Sequence, residues 1–268
     1  MSVDGVLLVD KPPEVTSHDI VARTRRLRGG IKVGHAGTLD PFATGLLLVL
    51  LGRATRVQRF LMALRKTYEA TACFGAVSST GDPEGEIVQT GVVPTGDLDL
   101  PVGKVRQRPP AYSAVKIGGQ RAYALARAGV DVKTAEREVE VYRFDETWRD
   151  ADQRGFVIEC SSGTYVRTLI ADLGDAYCEA LRRTAIGAFK VADADPERVI
   201  ELNEALAFMP EVRLEGDDAR RAGHGVAIPA PDGPPGDVVR LTDERGLVAI
   251  AEPREGGTML KPIVGLRG

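Results

Sequence analysis

The chain has 268 residues, 43% of them hydrophobic and 27% charged, with a formal net charge of −3. That length buries a sizeable core in one large domain or two, and no apolar run reaches the roughly 20 residues that a membrane span needs. The three cysteines (Cys73, Cys160, Cys178) and three histidines (His18, His35, His224) are scattered, which argues against a disulfide framework and a clustered metal site.

The charge is unevenly spread. Residues 1–66 carry 11 Lys/Arg against 5 Asp/Glu, and residues 101–149 carry 10 against 6. Residues 211–268 instead hold 10 acids and 8 bases. Two basic regions on an acidic remainder suit a polyanionic partner as well as plain solvated faces. The N-terminus lacks a basic start followed by a long apolar region, so no signal peptide and a cytoplasmic location are expected.

Residues 3–9 read as a strand entering the turn Asp10-Lys11-Pro12-Pro13. Thr16-Ser17 is a good cap for a helix to about Leu27, with Ile20, Val21, Thr24 and Leu27 on one face, ended by Gly29-Gly30. Residues 46–51, all aliphatic, predict a strand buried on both faces. Residues 53–64 look helical, and residues 67–74 alternate like a strand. Residues 78–85 (SSTGDPEG) read as a loop. Residues 103–131 combine a Pro-Pro bend, Gly118-Gly119, a short helix-like run and scattered bases; they predict a segment projecting from the main body. Strands are expected near residues 139–144 and 155–161, a helix from about Thr164–Tyr165 to Ala176, and strand-like pattern over 182–191. Beyond Met209-Pro210, a short helix and three short strands predict a small β-rich module.

Four polar groupings carry chemistry: His35 with Asp40, Lys66-Thr67-Tyr68, Tyr165 with Arg167, and Lys11-Pro12. Glycoside hydrolysis normally uses two carboxylates, whereas Asp40 reads as a solitary acid. A lone aspartate held charged by an arginine suits nucleophilic attack or proton abstraction. Tyrosines can stack on a flat substrate, and basic segments suit RNA. Taken singly, each feature also fits a turn or core residue; alone they amount to an α+β protein with RNA-binding character.

Together, GVLLVDKPPEVTSHDIV, VGHAGTLDPFATGLL, KTYEA, QRPPAYSAVKIGGQRAYALARAG, CSSGTYVRTLIADLG and ALRRTAIGAF resemble, in order, the motifs of the bacterial tRNA pseudouridine synthase B (TruB) family. The resemblance implies an α+β pseudouridine synthase fold, with a mainly antiparallel mixed sheet flanked by helices. It implies a catalytic domain over residues 1–210, including a projecting RNA-gripping thumb within about 104–148, and a PUA-like RNA-binding domain over 211–268. The implied activity converts uridine 55 in the T loop of tRNA to pseudouridine by base flipping, in a monomer without metal or organic cofactor. By the same resemblance Asp40 is the catalytic aspartate, Tyr68 stacks on the flipped uracil, Arg167 pairs with the aspartate and Tyr165 orients that pair. His35 fills the space left by the base, Lys11 supports the site, and Leu181 and Arg183 contribute to substrate binding. The competing readings are a non-catalytic tRNA-binding protein on the same scaffold and a small-molecule glycosidase or phosphoesterase. The latter calls for a second acid or a metal cluster.

Overall fold

The computed structural model describes residues 4–110, 116–117, 120–121, 130, 134–231 and 236–267. The strands run Gly5–Lys11 (β1), Val33–His35 (β2), Thr44–Leu51 (β3), Lys66–Phe74 (β4), Ala76–Ser78 (β5), Ile87–Gln89 (β6) and Gly103–Gln107 (β7). They continue with Lys116–Ile117 (β8), Gln120–Arg121 (β9), Arg137–Asp150 (β10), Gln153–Cys160 (β11), Ala176–Ile186 (β12), Phe189–Lys190 (β13) and Asp195–Ile200 (β14). Last come Glu211–Arg213 (β15), Ile228–Pro229 (β16), Val239–Asp243 (β17), Gly246–Arg254 (β18) and Met259–Gly265 (β19).

Among the described residues the main sheet has ten strands, with β14-β1-β3-β12-β4-β11-β10-β7 in spatial order, β2 on β3 and β13 on β12. Its pairs are antiparallel except β12 with β3. That parallel seam joins the two halves of the sheet, and it is here that the site forms. A second sheet, β15-β17-β18-β19-β16, draws its strands from the last part of the chain.

β3 is buried on both faces, as its unbroken aliphatic run predicts. Leu46, Leu48 and Leu50 pack with Leu206, Met209, Ile250 and Leu266, so one face is covered by the second sheet and its approach. Leu47, Val49 and Leu51 pack against Ile20 and Val21 of the helix Ser17–Leu27. Each buried leucine contributes about 1.5–3 kcal/mol. The helix is held at its start by a reciprocal cap: Asp19 N–H donates to the Thr16 hydroxyl (3.1 Å), and Thr16 N–H donates to the Asp19 carboxylate (3.0 Å).

β4 buries every second residue, Lys66, Tyr68, Ala70, Ala72 and Phe74, which puts Tyr68 on the covered face. β12 meets β4 with Arg183 opposite Tyr68, and meets β3 with Arg183 opposite Gly45. The backbones come so close there that a Cβ on Gly45 would lie 2.3 Å from the Arg183 carbonyl oxygen, at a φ of +101°. Gly45→Ala is therefore expected to cost about 2–5 kcal/mol, since backbone strain and a clash add. Urea unfolding of the purified variant checks it; an unchanged midpoint contradicts this seam.

Several elements depart from the sequence reading. β1 continues through Lys11, into the expected turn. Residues 53–64 split into a 3₁₀ turn, Gly52–Val57, and a short helix, Gln58–Ala63. The helix expected to reach Ala176 is only Val166–Ala171, because Gly174 turns the chain at φ +139° and β12 begins at once. The loop over residues 78–85 bridges a β5–β6 hairpin and is partly buried. β14 was not anticipated, since DPERVI is a mostly exposed edge strand without alternation. Much of the expected projecting segment, residues 111–115, 118–119, 122–129 and 131–133, lies outside the described residues.

Candidate active site

Four elements converge at the parallel seam. The loop over residues 36–43 supplies Asp40, β4 supplies Tyr68, β12 supplies Leu181 and Arg183, and the helix Val166–Ala171 supplies Arg167. All five line one cavity of about 320 Å³, together with Tyr165. Tyr68 and Leu181 give it an apolar wall, while Asp40 and Arg167 give it a charged end.

Arg167 Nε lies 3.0 Å from Asp40 Oδ2. Its Nη1 lies 2.8 Å from Asp82 Oδ2 and donates to the Thr80 carbonyl at 2.8 Å. Arg167 is thus held between two carboxylates. Its side chain is 3% exposed, that of Asp82 is 4%, and that of Asp40 is 31%. The inner acid anchors the cation and the outer one faces the cavity. Burial raises the Asp40 carboxyl above its ordinary value, Arg167 pulls it back, and the Asp82 charge raises it again. Asp40 is accordingly a more basic carboxylate than the simple pairing with arginine implies.

The supports are buried. Lys11 donates its ammonium to the carbonyls of Pro12 (2.8 Å), Val15 (2.7 Å) and Pro41 (3.1 Å), which fixes the residue after Asp40. Burial pushes Lys11 down to about 8 against the pull of Asp40. Arg183 donates from Nε to Leu46 O (2.7 Å), from Nη2 to Gly37 O (3.1 Å) and from Nη1 to Thr38 O (3.4 Å). Lys66 donates to the carbonyls of Met62 and Leu64. Tyr165 is clamped through its backbone: its N–H donates to Gln107 Oε1 (2.7 Å), and its carbonyl accepts from Gln107 Nε2 (2.9 Å). The Arg137 guanidinium lies 4.8 Å from the Tyr165 ring centre.

The structure brings Asp40, Tyr68, Tyr165, Arg167, Leu181 and Arg183 together. Lys11 is beneath the loop and does not line the cavity. His35 is on β2, outside the lining, with its ring edge-on to His18 at 5.3 Å and its carbonyl accepting from Gln58 Nε2 at 2.7 Å. Two residues escaped the sequence reading. Asp82 corrects the notion of a solitary acid: SSTGDPEG carries the same Asp-Pro step as the loop around Asp40, and such residues ordinarily serve turns. Gln107 ends a short exposed strand and carries no sequence signal of its own. The second acid does not revive a two-carboxylate hydrolase, because Asp82 is shut behind Arg167 rather than facing the cavity.

Known proteins resemble this chain over most of its length. The model of the TruB family pseudouridylate synthase N-terminal domain matches residues 25–166. The tRNA pseudouridine synthase B of Thermobifida fusca (strain YX) is 41% identical, with 99% of each chain covered. That of Arthrobacter sp. (strain FB24) is 41% identical over 85% of this chain and 83% of its own. Among solved structures, a Cbf5–Nop10–Gar1 complex aligns with a TM-score of 0.70 at 26% identity, over 94% of this chain and 79% of that one. By its sequence from end to end and by its fold, this chain belongs to the TruB family of pseudouridylate synthases.

Proposed function

We propose that this protein is a tRNA pseudouridine synthase that isomerises uridine 55 of the T loop. The observation that carries the reading is the Asp40–Arg167 pair, 3.0 Å apart, in one cavity with Tyr68. Extruding the uridine from its stack costs a few kcal/mol, and stacking on Tyr68 against Leu181 offsets it. Burial keeps the Tyr68 phenol protonated, above its ordinary value, so stacking rather than proton removal is its role.

Asp40 then acts on the sugar, either by attacking C1′ or by removing the C2′ proton. Its raised basicity serves both. Arg167 holds the carboxylate in place, Asp82 holds Arg167, and Lys11 holds the loop. The apolar wall formed by Tyr68 and Leu181 retains the detached base while it turns. Release of tritium from tRNA labelled at C5 of uridine tests this. A non-catalytic tRNA-binding protein releases none.

The domain division at about residue 210, the monomeric state and the cytoplasmic location belong to the same reading. So do the thumb within residues 104–148 and the role of His35 in the emptied base position. No helix among the described residues is long and apolar enough to cross a membrane. The RNA grip makes its own prediction. Replacing Lys104, Arg106, Lys116, Arg121 and Arg127 together weakens tRNA binding, and the slope of log affinity against log salt becomes shallower by about 0.7–0.9 per lost phosphate contact. An unchanged slope removes this segment from the interface.

A further inference from the structure

Most buried cations of this protein face an acid. Arg154 meets Glu146, Arg240 meets Glu211, Arg167 meets two aspartates, and Lys11 feels the charge of Asp40. Lys66 and Arg183 differ. They are 5% and 1% exposed; like Lys11 they donate only to backbone carbonyls among the described residues, but no carboxylate acts on Lys66 as Asp40 acts on Lys11, and Arg183 makes no ion pair there. Carbonyl dipoles solvate a cation without neutralising it, and a buried charge without a counter-ion is costly. The two also repel each other: burial and the Arg183 charge push Lys66 down to about 8.

Both face the base-binding end of the cavity. Arg183 pairs across strands with Tyr68, and its charge acts on the Tyr68 phenol. Lys66 precedes Tyr68 by two residues on the same face of β4. The cavity therefore has an anionic sugar end, Asp40, and a base end backed by two positive charges that make no ion pair among the described residues.

We propose that Lys66 and Arg183 together stabilise the negative charge that collects on the uracil ring once its bond to the sugar breaks. This rests on the function proposed above. In that step the N1–C1′ bond breaks and its electron pair leaves with the base, spread over N1, O2 and O4. C1′ bonds to the Asp40 carboxylate, or the sugar loses its C2′ proton to it. After the ring turns, a C5 electron pair forms the C5–C1′ bond. The ester to Asp40 breaks, or the C2′ proton returns. The C5 proton leaves to solvent and N1 takes one up. The ring is anionic from the first break to the second bond, and fixed charge aimed at the developing anion lowers the barrier to the first break. Both line the cavity with only 5% and 1% of their surface exposed, so they act through their field rather than by contact with the reacting atoms.

The test uses the full-length protein and tRNA carrying either uridine or 5-fluorouridine at the target position, with nucleoside consumption read in single turnover. Fluorine withdraws electrons and stabilises the ring anion by itself. Lys66→Gln keeps a donor for the two carbonyls and removes the charge. It is expected to slow uridine consumption roughly 10- to 50-fold, to slow 5-fluorouridine far less, and to leave tRNA affinity unchanged. Lys66→Arg restores most of the uridine rate. Lys66→Met, which fills the same space, repeats the experiment should the glutamine variant fold poorly. Equal losses on both substrates overturn the proposal, because a purely structural role moves the two together. Weaker tRNA binding at an unchanged rate overturns it too, by placing the charge on the RNA backbone. A wild-type protein that consumes neither nucleoside overturns the function itself, a result distinct from both.

Discussion

Replacing Asp40 with asparagine is expected to abolish isomerisation, by about four orders of magnitude or more, while tRNA affinity stays nearly unchanged. Asparagine has the shape of aspartate but neither its charge nor its basicity. Both roles open to Asp40 at the sugar need the carboxylate, so no residual route passes through the amide. Binding survives because stacking on Tyr68 and phosphate contacts do not depend on Asp40. The variant is also expected to melt no lower than the wild type at pH 7. The folded-state pKa of Asp40 is raised by burial and by Asp82. Its ionisation therefore costs stability as pH rises through the interval between its ordinary and raised values, and asparagine removes that cost. The wild-type pH profile follows from the same sign. In the proposed mechanism protonated Asp40 is inactive, so single-turnover rates are expected to rise with pH through a limb lying above about 3.9, the ordinary aspartate value. Asp82→Asn removes a charge that raises Asp40, so in that variant the limb moves to lower pH. Tritium release measured across pH reads both. Retained turnover in Asp40→Asn overturns the assignment of this residue.

What the sequence reveals of the site follows from how each residue is held. Asp40, Tyr165 and Arg167 stand in short runs whose order along the chain is recognisable, and Tyr68 falls on the buried phase of an alternating strand. Asp82 has neither signal. Its function comes from a contact with Arg167, 85 positions away, made because the β5–β6 loop folds back over β12, with Cys178 N–H donating to Gly81 O at 3.0 Å. Gln107 is alike: its amide finds Tyr165 across 58 positions. Lys66 is marked by its place beside Tyr68 and Arg183 by the family motif, but that both are buried cations held by carbonyls shows only once the seam with β3 closes over them. Elements with a strong local signal, the aliphatic runs of β1 and β3, the alternation of β4 and the helical spacing of the first helix, are legible from the sequence. The abrupt exchange of helix for strand at Gly174 is not, because the aliphatic spacing of residues 166–173 continues into a segment that the sheet captures as β12.

Removing Arg167 is expected to produce two separable losses. In Arg167→Met the apolar stem is kept and the guanidinium is lost. Asp82, with its side chain 4% exposed, is then a buried carboxylate without its cation, and breaking such a pair from one side costs about 3–5 kcal/mol. Asp40 loses its partner at the same time. Its carboxyl rises further, a larger share is protonated at neutral pH, and its orientation over the sugar is no longer fixed. Single-turnover tritium release is expected to fall by about three orders of magnitude. The double variant Arg167→Met/Asp82→Asn separates these effects. The amide at position 82 can keep the hydrogen bonds from Thr80 Oγ1 (2.5 Å) and Glu84 N–H (3.1 Å) without a buried charge. Most of the lost stability is therefore expected to return, as a favourable coupling between the two substitutions in urea unfolding. Activity is not expected to return, because Asp40 still lacks its cation. Additive stability losses would mean that Asp82 does not depend on Arg167. Recovered turnover in the double variant would mean that Asp40 does not depend on Arg167 either, and the charge relay from the buried acid to the cavity would have no function.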